Sequence, residues 1–151
     1  MNLPYTALNS KSFTSHTRNT LSGSEILTYY IDDQVGWSSL ERHYIGILIE
    51  NQEIKTYNVG HNTYLKNFIR DTFSRLDNII DLDFLEMEHN NGSMIDIYHV
   101  NYASIFEDNV IGVALTQQSI QGYWWDILWQ DVPSYQSNNH NLNTIVHEIG
   151  H

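Results

Sequence analysis

The chain has 151 residues, 41% hydrophobic and 13% aromatic, enough apolar material for one packed domain and too much for a disordered chain. Seven Lys and Arg against eighteen Asp and Glu give a formal charge of −11, a surface that repels phosphate backbones and argues against nucleic acid as a partner. Cysteine is absent, which excludes disulfides, thiol chemistry and zinc–thiolate sites together.

The first residues, Met1 to Ala7, lack the basic start and apolar run of an ordinary signal peptide. No stretch approaches the roughly 18 apolar residues of a membrane helix, so no membrane contact is expected. Residues 1–23 are rich in Ser, Thr and Asn and read as a polar lead-in, with the domain expected over 24–151. Ile26 to Ile31 is rich in β-formers and ends at Asp32-Asp33, a strand followed by a turn. Residues 34–62 are ambiguous, and Tyr44 to Ile49 fits a strand or a helix equally well.

A helix is expected to start at Asn62, a good N-cap. Leu65, Phe68, Ile69, Thr72, Phe73 and Leu76 follow at three- and four-residue spacing, with Lys66, Asn67, Arg70, Asp71 and Arg75 on the other side. Leu82 to Glu88 reads as a strand, and Asn90-Asn91-Gly92-Ser93 as a turn. Three more strands are expected at Met94–Val100, Ile111–Thr116 and Tyr123–Trp129. Strand, helix, four strands and a closing helix predict an α/β (α+β) class: a mixed, mostly parallel five-stranded sheet with two long helices.

The closing helix carries the chemistry. Asn138 to Asn141 offer several N-caps, and Leu142, Ile145, Val146 and Ile149 form an apolar stripe at i, i+3, i+4 and i+7. His147 and His151 fall off that stripe, on the side expected to face solvent, and with Glu148 they spell H-E-x-x-H. Residues four apart share a helix face, so two imidazoles can reach one metal ion while the carboxylate between them leans toward the same space. Zinc suits neutral imidazole, and a carboxylate beside a zinc-bound water can take its proton.

The segment Thr144-Ile145-Val146-His147-Glu148-Ile149-Gly150-His151 resembles the active-site helix of the serralysin-type and matrixin-type metzincins, zinc endopeptidases whose helix continues through a glycine to a third histidine. The order upstream is also similar to that family over about residues 23–151, with Gly112 to Leu115 resembling the edge strand that lines the cleft. The resemblance implies His147 and His151 as zinc ligands and Glu148 as the general base. It also implies that Gly112, Val113, Ala114 and Leu115 bind extended protein or peptide substrates. It further implies secretion, a monomer, and Ca²⁺ in the full-length protein. The family's third histidine, methionine turn and calcium-binding repeats lie beyond the position of His151, so a fragment of a catalytic domain is expected, with weak zinc affinity and low activity. A catalytic zinc takes three protein ligands. His140 is a poor third, since seven residues along a helix is roughly 10 Å.

A competing reading is a carbohydrate- or protein-binding module that uses the aromatic strand Tyr123–Trp129. Bulky aromatics within a strand are more often core. His16, His43, His61, His89 and His99 have no ligand spacing and read as surface or locally bonded side chains. Asp32-Asp33, Asp81 with Asp83, and Glu107-Asp108 read as solvated loop acids.

Overall fold

The computed structural model describes residues 11–42, 52–131 and 138–149. The chain forms a mixed α/β domain, with α1 Lys11–Leu21, β1 Ile26–Ile31, β2 Val35–Arg42, β3 Gln52–Val59, α2 Thr63–Asp77, β4 Asp83–Glu86, β5 Ile95–Ala103, β6 Gly112–Ser119, β7 Gly122–Trp129 and α3 Asn138–Ile149. The seven strands make one mixed sheet. Strand β1 pairs parallel with β4 and with β5, and β5 pairs parallel with β7. The remaining pairs, β6 with β7, β2 with β3, and β3 with β5, are antiparallel.

Tyr29, Ile31, Ile95, Ile97, Trp125, Ile127 and Trp129 line one face, covered by Ile69 and Phe73 of α2 and Ile145 of α3. Tyr29 stacks on Phe73 with ring centroids 4.1 Å apart. The opposite face carries a second cluster of Ile54, Tyr98, Val100, Leu115 and Leu128. Cover on both faces explains why Ile95 to Val100 are buried without alternation. The helix expected after Asn62 forms there, with the Asn62 Oδ1 accepting from the Leu65 N–H at 2.9 Å.

Two expectations need correction. Among the described residues there are seven strands and three helices, not five and two. The extra strands form the hairpin β2–β3 in the segment that sequence left ambiguous. Its first strand, Val35–Arg42, has small or polar residues at many positions and leaves Val35 and Trp37 exposed, so it shows no apolar alternation. The stretch Tyr44 to Ile49 lies outside the described residues. The extra helix, α1, lies within the polar lead-in, where Ser, Thr and Asn hid it because tertiary contact, rather than propensity, holds it.

Candidate functional site

Helix α3 packs across β6 and β7 at the antiparallel edge of the sheet. Its inward side differs from the expected stripe. Thr144, Ile145 and Glu148 are buried, Ile149 is half-buried, and Val146 is 46% exposed. The helix is therefore rotated by about one residue from the orientation that apolar spacing predicts. That rotation brings the Glu148 carboxylate inside, at 7% exposure, and leaves His147 in solvent.

Glu148 is seated on a glycine. A Cβ built on Gly112 would fall 2.6 Å from Glu148 Oε1, 2.9 Å from its Cγ and 2.8 Å from Thr144 Cγ2. Only a residue without a side chain lets the helix approach the strand this closely. Burial raises the Glu148 carboxyl above its ordinary value, and the neighbouring His147 works against that rise. The two residues thus interact electrostatically although one is buried and the other exposed. His151 lies outside the described residues, as do the side chains of residues 138–141, including His140.

The expected substrate strand begins at the same glycine. Gly112, Val113, Ala114 and Leu115 pair with Trp129, Leu128, Ile127 and Asp126 of β7. Among the described residues β7 is the strand partner of β6, and no other described strand pairs with its outer side. The aromatic strand β7, in contrast, is largely interior. Trp125, Ile127, Leu128 and Trp129 are buried, and the half-buried Trp124 donates its indole N–H to Asp126 at 3.2 Å. The exposed aromatic rings of the sheet lie instead on the hairpin side, where Trp37 meets Tyr57 and Tyr102 edge-on at 5.3 and 5.7 Å.

Sequence reasoning missed two polar constellations. Asp96 and Asp126 are register partners on adjacent parallel strands, 4% and 3% exposed, facing a polar cavity of about 720 Å³. Gln117 donates to Asp126 at 2.6 Å and Ser93 hydrogen-bonds Asp96. Burial, more than any neighbour, pushes Asp96 up to about 8 and Asp126 up to about 6. The available signal was an aspartate in phase in two otherwise apolar runs, Ile95-Asp96-Ile97 and Trp125-Asp126-Ile127.

The second constellation surrounds Trp129. His61 donates from Nδ1 to the Asp32 carbonyl at 2.7 Å and accepts the Trp129 indole N–H on Nε2 at 3.1 Å. His99 stacks on Trp129 at 3.9 Å, donates from Nδ1 to the Gly60 carbonyl at 2.8 Å, and places Nε2 3.4 Å from Asp131 Oδ2. Burial holds His61 down to about 4. These histidines are interior, as is Asp32 at 2% exposure, which corrects the expectation of a solvated loop acid there; Asp33 is exposed and pairs with Lys66.

Among the described residues no group of three or more His, Asp or Glu is placed to hold a metal ion. The described part of the motif supplies one exposed imidazole and one buried carboxylate, which is an incomplete donor set for a catalytic zinc. No helix of the described residues is long and apolar enough to cross a membrane. Comparison of the chain with protein-family models, with curated proteins and with solved structures gave no match.

Proposed function

We propose that the chain carries the base and substrate edge of a zinc-dependent metalloendopeptidase, with Glu148 as the general base and β6 as the strand along which an extended peptide lies. The observation that supports this reading is the seating of the Glu148 carboxylate over Gly112, at the head of a strand whose outer side meets no other described strand. A peptide added to that edge through main-chain hydrogen bonds would run past the carboxylate. Partial burial and a raised pKa suit a group that must accept a proton from water and return it to a leaving amine. The mixed α/β sheet, in which β1 with β4, β1 with β5 and β5 with β7 are parallel, supports the reading at the level of fold class.

His147 and His151 would hold Zn²⁺ through imidazole nitrogen, and the bound ion would supply a water of lowered pKa. The chain's own part is to hold the base against the strand, to keep it partly dry, and to offer backbone groups to the substrate. Specificity would follow main chain first, so proteins and peptides of broad sequence are the expected substrates, in an extracellular setting. Calcium belongs to this proposal only through the family's repeats.

Zinc titration calorimetry combined with peptide cleavage tests the reading. Glu148→Gln should keep zinc binding and lose cleavage, whereas His147→Ala and His151→Ala should each weaken zinc binding at least about tenfold, the loss of one of the few protein ligands. Unchanged zinc binding in the double histidine variant would end the proposal.

A further inference from the structure

We propose that α1 is a detachable lid over an apolar pocket at the end of α3, latched to the sheet by His16 and released when that imidazole takes up a proton. The pocket holds about 100 Å³. Leu27, Ile95, Trp125 and Ile127 form its floor, Ile149 and Glu148 a wall, and α1 the roof. Its size and lining fit an aliphatic side chain or a small hydrocarbon.

The latch is specific. His16 is 9% exposed, and its Nε2–H donates to the Trp124 carbonyl at 2.8 Å, a contact between residues 108 apart in sequence. Its ring stands edge-on to Trp125 at 4.8 Å and to Tyr123 at 5.5 Å. Apolar anchoring by the described side chains of α1 is thin beside it. Among the described side chains of α1 only Leu21 joins the core cluster, whereas α2 contributes Ile69, Phe73, Leu65, Phe68 and Leu76. Attachment scales with apolar area buried, and the described side chains of α1 contribute less of it than those of α2.

The helix is also easy to lose once it leaves the sheet. Eleven residues rich in Ser, Thr and Asn have almost no helical stability of their own in water. A pivot follows directly, at Ser22 and Gly23 with φ of 48° and 81°, before the chain enters β1. Release therefore needs no change in the strands.

Acid provides the trigger. Burial holds the His16 imidazole below its ordinary value, and the Trp124 carbonyl opposes that only in part. The groups around it are Tyr123 and Trp125 on β7 and Thr20 on its own helix, whose hydroxyl donates to the His16 carbonyl, with Glu148 lining the pocket from α3; Asp126 belongs to the opposite face of β7. The docked lid thus binds fewer protons than the free segment, so lowering the pH favours release. The inference does not depend on the hydrolytic reading, because its readouts involve no turnover and no metal.

Hydrogen exchange by mass spectrometry on the full chain, corrected for intrinsic exchange rates, tests it. Protection over residues 11–21 should fall by up to about tenfold per pH unit in the window where free His16 is protonated and docked His16 is not, while residues 63–77 stay protected. His16→Ala should remove α1 protection already at pH 7.5 and raise the fluorescence of the apolar probe anilinonaphthalene sulfonate. Equal loss over α1 and α2 on acidification, or α1 protection independent of pH, would overturn the lid. Unchanged α1 protection in His16→Ala at pH 7.5 would overturn the latch.

Discussion

Glu148 rests on Gly112: the carboxylate of the last described turn of α3 occupies the space that any Cβ on that strand residue would need. The contact joins the helix that carries the motif to the edge strand, and it sets the depth of the one motif side chain that is both described and buried. Gly112→Ala would push against Glu148 Oε1 and Cγ and against Thr144 Cγ2. Overpacking of this kind costs about 1–3 kcal/mol, and the flexible end of Glu148 should yield before the backbone does. The expected outcome is a urea midpoint lowered by the smaller end of that range and a cleavage rate reduced well beyond it. Parent-like cleavage in Gly112→Ala would show that the position of Glu148 is immaterial.

Paired carboxylates give a distinct pH signature. The folded chain keeps protons on Asp96, up to about 8, and on Asp126, up to about 6, that an unfolded chain has released near its ordinary value of about 4. The folded state then binds more protons, so stability falls as pH rises through that window. His61 acts in the other direction between about 4 and its ordinary value near 6.5, because the unfolded chain binds the extra proton there. The clean window is therefore roughly pH 6.5 to 8, where Asp96 dominates and the loss approaches ~1.4 kcal/mol per pH unit. Urea unfolding across that range should show the decline in the parent and a flat profile in Asp96→Asn. A parent profile that is flat or rises would contradict the burial of this proton.

Around Trp129 the sheet depends on an imidazole with both nitrogens in use. His61→Phe keeps a ring of similar size but strands the Trp129 indole N–H and the Asp32 carbonyl. A buried polar group left without a partner costs about 1–3 kcal/mol, so a loss of roughly 2–4 kcal/mol is expected for the two together. Denaturant unfolding followed by tryptophan fluorescence measures it directly. A loss under about 0.5 kcal/mol would mean that water takes both places.

A smaller effect is expected at the start of α2. Asn62→Ala removes the side-chain acceptor of the Leu65 N–H and should cost about 1 kcal/mol, the usual value of an N-cap. Thermal unfolding monitored by circular dichroism should show a lower midpoint with no change in the helical signal at low temperature. An unchanged midpoint would show that water replaces the cap fully.

Local pattern determined a good deal of this protein. Strong alternation or spacing placed β1, α2, β6, β7 and α3 within a few residues of their ends, because each carries its own apolar face and turn or cap signal. The resemblance of residues 144–151 drew attention to His147, Glu148 and His151 for the same reason: the motif is contiguous and needs no tertiary knowledge to be seen. Tertiary structure alone decided the rest. The hairpin β2–β3 and the helix α1 lack an apolar pattern and exist through pairing and docking to distant segments. The inward face of α3 was set by how closely it could approach Gly112, a contact across 36 positions of chain that spacing within the helix cannot encode. Asp96 meets Asp126, and His61 meets Trp129, because parallel strands and loops converge from far apart, and burial then gives those ordinary side chains their shifted protons.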